Sequence, residues 1–346
     1  MIRALVLCLC LLAVPAALAG EVDEWAAWAK AVGKQHRLAG TVYSETKEWP
    51  EIFDGPLQKL RTDRGRLWRP PPVLFRLSLP PGIVLLGEVH DNPDHHRLRA
   101  WLIAEALRSR ADHRPAVVFE HIRADQQPAL DRFAALRAEG KNTARDLLRL
   151  LEWDKSGWPP EAIYEPLFEA VVAARLPILA GNTTRDRIKA VARQGLAALA
   201  AVERAELWLD HPQPAPLSEA LNKELAESHC GALPPQAIPG MAAAQRYRDA
   251  HLAGALLRAE KLHGSAILIA GNGHVRGDRG VPWHIRQRQP DAKVTTVLFL
   301  EVEEGKSDPA AYLPRYPDGK AAVDLVIFTP RAERGDPCEG LLKKGK

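Results

Sequence analysis

Short apolar runs bounded by turn residues occur at Ile83 to Leu86, Ala116 to Phe119, Pro177 to Ala180 and Ala266 to Ala270. They are too short for core helices and read as buried strands. Val294 to Val302 and Ala322 to Phe328 continue the series. Between the early runs lie stretches with helical periodicity, such as Asp94 to Arg108 and Tyr164 to Ala174. Strands apolar along their whole length belong to sheets covered on both sides. The alternation therefore predicts an α/β fold, a mostly parallel sheet with helices on both faces. From Arg185 to His263 the strand signal gives way to Ala, Leu, Glu and Arg, broken by Pro-rich stretches at His211 to Pro216 and Leu233 to Pro239. A smaller inserted helical domain is expected there. The α/β domain then has two parts, 82–184 and 264–330, around an insert at 185–263. Residues 20–81 should wrap it as a helix, a short hairpin and a Pro-rich lead-in, and 331–346, rich in charge and glycine, should form a flexible tail.

Polar residues gather where these strands end. Gly87-Glu88-Val89-His90 follows the first run, and Gly271-Asn272-Gly273-His274 follows the fourth. The second run ends in Glu120-His121 and the third in Gly181-Asn182-Thr183-Thr184. Ligands of open parallel sheets bind at the carboxyl ends of the strands, so these groups converge on one edge. His90 and His274 are candidate metal ligands there, and Glu88 and Glu120 candidate general bases. The bland alternative is that such turns only satisfy loop backbone groups, their glycines permitting a tight bend. Asp94 is positioned to cap the following helix. Beside it, His95 and His96 are expected to split, one facing the site and the other exposed. An aromatic loop at Trp153 to Pro160, with Trp158 and then Tyr164, offers either a flat wall for a ring ligand or core packing. Gln245 and Asp249 share a helix face with Met241, whereas Tyr247 projects elsewhere.

Composition adds a compartment and removes several chemistries. Arg3, the apolar run Ala4 to Leu12 and the small residues before Gly20 read as a signal peptide over 1–19. Cys8 and Cys10 lie inside the apolar core rather than after it, so a lipid anchor is not expected, and the periplasm is the expected location. That leaves Cys230 and Cys338, either paired as a disulfide or separate as a buried and a free thiol. The net charge of +4, with acidic and basic residues interspersed, gives no reason to expect nucleic acid. Cys-x-x-Cys-His, a phosphate loop and a Gly-x-Ser-x-Gly elbow are missing from the sequence. Gly271, Gly273 and Gly277 make a loose dinucleotide loop, but His274 and Arg276 would crowd it.

Taken together, the two Gly-x-x-His turns, His95-His96, Phe119-Glu120-His121, Ser156-Gly157-Trp158-Pro159, Ala180-Gly181-Asn182, His229-Cys230-Gly231 and Gln245-x-x-x-Asp249 resemble the ChaN haem-binding uptake proteins. Their superfamily also contains the Tiki metalloproteases and erythromycin esterases. The resemblance runs from about Gly82 to Val302. It implies a flanked parallel sheet, a smaller helical domain, haem in a pocket at the strand ends and helical subdomain, and a homodimer around it. A haem or iron uptake or trafficking role follows, with an outer-membrane haem receptor or another uptake component as partner. The candidate cofactor-binding residues are Tyr164, Tyr247, His95, His96, Trp158, Gln245 and Asp249. Tyrosinate is a reasonable ligand for ferric haem, which singles out Tyr164 and Tyr247. The superfamily also implies a second reading, a metal-dependent peptidase or esterase. There His90 and His274 hold a divalent ion and Glu88 or Glu120 activates water.

Overall fold

The computed structural model describes residues 27–45, 81–109, 114–138, 142–336 and 338. The expected signal peptide and the stretch 46–80 lie outside them. The expected α/β architecture is present. Its strands are β1 (Val42–Tyr43), β2 (Gly82–Leu86), β3 (Ala116–Arg123), β4 (Ile178–Asn182), β5 (Ser265–Ile269), β6 (Val294–Glu301) and β7 (Leu325–Thr329). The principal helices are α1 (Pro93–Ser109), α2 (Gln127–Ala138), α3 (Ala144–Leu150), α4 (Glu161–Ala173), α5 (Arg185–Gln194), α6 (Ala201–Glu206), α7 (Ala215–Ser228), α8 (Ile238–His263), α9 (Asn272–Val275) and α10 (Val281–Arg288).

Among the described residues, one sheet holds seven strands in the order β1-β7-β6-β2-β5-β3-β4. Every neighbouring pair is parallel except β1 with β7. In the wrapping segment, whose expected hairpin falls in a stretch mostly outside the described residues, Val42 and Tyr43 pair with Ile327 and Val326 of β7. Alternate side chains leave a strand on opposite faces, and both faces are covered. Val84 and Leu86 join Leu98, Leu102, Phe168 and Val171 of α1 and α4 on one side. Ile83 and Leu85 join Leu252, Leu256, Val281 and Ile285 of α8 and α10 on the other.

The strand order sets the position of the site. From β2 the chain crosses toward β3, whereas from β5, its neighbour, it crosses the opposite way toward β6. Connections leaving adjacent strands in opposite directions open a crevice at their carboxyl ends. The turns at 87–90 and 271–274 flank that crevice.

Helix α8 belongs to two bodies. Its first half contributes Ala244, Tyr247 and Ala250 to a small core with Val191, Leu199 and Leu209. Its second half, Leu252 to Ala259, packs on the sheet. The helix that closes the expected insert is thus also a layer of the α/β domain. Gly264 ends it at φ 76, a left-handed conformation suited to glycine, and its N–H returns to the Glu260 carbonyl at 2.7 Å.

The start of the expected flexible tail is tied down. Arg334 pairs with Asp91 and Glu301, and Cys338 is disulfide-bonded to Cys230 of the insert.

Candidate functional site

The two Gly-x-x-His turns interlock. A Cβ on Gly87 would lie 2.1 Å from the Asn272 side-chain oxygen, and one on Gly271 would lie 3.0 Å from Nε2 of His90. Each glycine therefore makes room for a side chain of the other turn. The Asn272 N–H donates to the Glu88 carbonyl at 2.9 Å, and the Asn272 side-chain amide donates to the Phe299 carbonyl at 2.7 Å.

Glu88, fully buried, is the hub of the first turn. Its Oε1 accepts from His90 Nδ1 at 2.5 Å, the Tyr164 hydroxyl at 2.8 Å and His121 Nε2 at 2.9 Å. The buried Arg99 guanidinium pairs with Oε2. Burial alone would raise this carboxyl, but Arg99, then His121 and His90, outweigh it and hold Glu88 well below the usual range. It is a carboxylate at neutral pH.

His95 and His96 do not divide as expected; both are fully buried. His95 Nδ1 accepts from the Val89 N–H at 2.8 Å, and its Nε2 donates to the Thr329 hydroxyl at 2.8 Å. His96 Nδ1 accepts from Arg99 at 2.6 Å, and its Nε2 donates to the His90 carbonyl at 2.9 Å. Burial and then Arg99 depress both, His96 to about 3, so both are neutral. They brace the backbone on either side of His90. The expected cap, Asp94, is replaced by Asn92, whose Oδ1 accepts from the Asp94 and His95 N–H groups at 2.9 and 3.3 Å. Pro93 takes the first helical position, so the capping oxygen must come one residue before it.

A second cluster surrounds the other turn. Extended strand β3 carries a register irregularity between Phe119 and Arg123, and there Glu120 and His121 leave on opposite sides. His121 reaches Glu88, while Glu120 accepts from the Gly271 N–H at 2.7 Å and pairs with Arg248 and His274. His274 Nδ1 donates to Asp249 at 2.5 Å and Nε2 to Glu120 at 3.1 Å. Burial works against this charge, yet Glu120 and Asp249 raise His274 to about 9. Burial pushes Asp249 up, against the opposing pull of His274 and Arg248. His274 is an imidazolium with both nitrogens donating to carboxylates. Gln245 lies 3.1 Å from its ring, on the helix face that also carries Asp249.

Tyr164 and Tyr247 are 0% and 1% exposed. Burial and then Glu88 push the Tyr164 phenol up, so it remains a phenol and a donor. The Tyr247 hydroxyl donates to Glu203 at 2.8 Å and lies 3.1 Å from Thr183. Trp153 packs in the core, whereas half-buried Trp158 lies 4.9 Å from the His90 ring and 4.5 Å from that of His121. The His90 side chain is 38% exposed and is the open point of the cluster. Its Nδ1 is spent on Glu88, and that carboxylate raises it against the opposing effect of burial. His121 Nδ1 is buried without a partner. Glu88, His90 and His121 bring their ligating atoms within 4.8 Å of one another, a spacing suited to a metal ion.

Two participants escaped the sequence reading, Arg99 and Arg248, and His121, placed at the strand-end edge, was given no role there. Helical spacing was the available signal for the arginines, since Arg99 follows His95 and His96 by one turn and Arg248 follows Gln245.

Residues 80–285, from the start of β2 into α10, match the family described as haem-binding uptake, Tiki superfamily, ChaN. Among solved structures the chain is similar to one described as cofacial heme binding to ChaN of Campylobacter jejuni. Identity is 21%, coverage 71% of this chain and 86% of that one, and the TM-score 0.54, a likeness of fold. A succinoglycan biosynthesis protein also matches (13% identity, 64% and 67% coverage, TM-score 0.37). So does a Bacillus cereus protein (12% identity, 91% and 81% coverage, TM-score 0.32). TM-scores this low carry no argument. None of the curated proteins matches. The family match takes in more than half of the chain, including both interlocked turns, and the chain belongs to the haem-binding uptake family of the Tiki superfamily, ChaN.

Proposed function

We propose that this protein binds haem at the open edge of the strand-end crevice and serves haem or iron uptake or trafficking. Membership of the haem-binding uptake family carries this reading. The donor set fits. His90 alone among the expected ligands combines exposure with a ring nitrogen not engaged by another side chain, because Nδ1 is held by Glu88 and Nε2 is left for iron. A carboxylate behind a ligating imidazole fixes its tautomer and raises its basicity. His90 is therefore favoured as the iron ligand over the buried tyrosines, with Trp158 as an apolar flank. Glu88, Arg99, His95 and His96 hold that imidazole in place, and Gln245, Asp249 and Glu120 hold His274. The Cys230–Cys338 disulfide supports an oxidising compartment, in keeping with export to the periplasm. Homodimerisation and exchange with an outer-membrane haem receptor or another uptake component belong to the same reading.

The Glu88, His90 and His121 spacing supports a second reading, a divalent ion and hydrolysis, with Glu120 close by as a base. One preparation tests both. Hemin titration of the purified protein should give a saturable Soret shift, retained by Tyr164→Phe and Tyr247→Phe and weakened about tenfold or more by His90→Ala. A titration no different from that of an unrelated basic protein sinks the haem reading. Stoichiometric divalent metal by elemental analysis, with ester or peptide hydrolysis lost in His274→Ala, would favour the second.

A further inference from the structure

Away from the crevice, positive charge gathers between α8 and α10 without a contact ion pair among the described residues, Asp210 acting on Arg246 only from a distance. Arg246 of α8 and Arg288 of α10 converge on the turn after α6. Arg246 donates to the carbonyls of Leu209, at 3.0 Å, and His211. Arg288 donates to those of Leu207 and Ala250 at 2.7 and 2.8 Å. Among the described residues, no carboxylate lies within ion-pair distance of either, and the nearby Asp210 is engaged by Arg204. Burial, and then the neighbouring Arg258, lower Arg288 to about 10. Nη1 of Arg288 and Nη1 of Arg258 approach the same empty spot over Gly254, 3.2 and 3.4 Å from where a Cβ would stand. Like charges share that spot because a glycine leaves it open.

His284, on α10, is 0% exposed, and neither of its ring nitrogens has a hydrogen-bond partner. Nε of Arg246 and Nε of Arg288 are likewise buried without acceptors. Burial, then Arg288 and Arg246, hold His284 well below its usual value, which places both cations close to a neutral ring. Each such orphaned donor costs about 1–3 kcal/mol. A water molecule would supply an acceptor but leave the charge of Arg288 uncompensated. A chloride would supply the charge, but as one small sphere that every separated donor would have to reach. An oxyanion supplies both, with oxygens for several donors at once.

We propose that the niche formed by Arg246, Arg288 and His284, with exposed Arg258 at its rim, is a binding site for a small inorganic oxyanion of the phosphate type. It shares α8 with the crevice but none of the crevice's clustered side chains. The test is thermal unfolding and calorimetric titration with potassium phosphate against potassium chloride at matched ionic strength. Phosphate should raise the melting temperature saturably and chloride should not. Arg246→Gln and Arg288→Gln should each weaken phosphate binding about tenfold or more, the loss of one charge-assisted hydrogen bond, while His90→Ala binds as the wild type does. An equal response to chloride, or an undiminished response in both arginine variants, overturns the site. Should those variants fail to fold, the wild-type His284 ring nitrogens report directly by NMR. A shift that saturates with phosphate supports the proposal, and no shift, the signature of buried water only, refutes it.

Discussion

At Gly87 the space a side chain would need is held by Asn272, 2.1 Å from the missing Cβ, while a Cβ on Gly273 would meet nothing within 4 Å. Two glycines of similar motifs therefore differ in cost. Gly87→Ala should destabilise the protein by roughly 1–3 kcal/mol, as overpacking does, and Gly273→Ala should be near neutral, both measured by urea unfolding. Equal effects would show that the turns do not lock. His90, Glu88, Glu120 and His274 were legible in the sequence because polar residues after apolar strands have one place to go. Arg99 was not, and His121 was placed without its role, because their partner is Glu88 of another element and those roles exist only once the sheet is assembled. Adjacent His95 and His96 suggested opposite environments; β7 and Arg99 instead bury both.

Apolar runs marked β2 to β7 well, yet β3 outran its signal. Glu120 and His121 read as a strand end, but the strand continues through them, its register irregularity sending one to each cluster. Nor could spacing show that β5, following the long insert, slots between β2 and β3. Helix α8 misled for a related reason: small residues such as Ala253, Gly254 and Ala255 pack on the sheet without a strong apolar stripe. The C-terminal segment reads as tail by composition, but Arg334 and the Cys230–Cys338 bond, spanning 108 residues of sequence, fasten it. Closing a loop of that length restricts the unfolded chain by up to about 4.7 kcal/mol in the entropic account. Reduction, or Cys338→Ser, should lower the unfolding free energy by an amount of that order at most, read as a shift in the urea midpoint. An unchanged midpoint would mean that the bond does not form.

Across the whole molecule, opposed histidine environments set a pH optimum. Burial and Arg99 keep His95 and His96 neutral, His96 down to about 3, whereas the unfolded groups protonate near 6.5. Their contribution is present above 6.5 and is lost as pH falls below it. His274, raised to about 9 by Glu120 and Asp249 against its burial, behaves oppositely. Its contribution is complete below 6.5 and fades as pH rises toward 9. Each proton of difference is worth about 1.4 kcal/mol per pH unit. Urea midpoints should therefore be highest near pH 6.5 and lower at about pH 5 and about pH 8.5; a steady rise across that range would contradict the assignment of His274 as an imidazolium. The strand order also bears on biosynthesis. The gap between β2 and β3 is filled by β5, and Glu120 receives the Gly271 N–H from 151 residues further along. A nascent chain that has emerged only through β4 thus presents β2 unpaired on both edges, β3 unpaired on one, and buried charges awaiting partners. The crevice cannot close until β5 and the turn at 271–274 have left the ribosome, and the helical insert must be accommodated before that closure can happen.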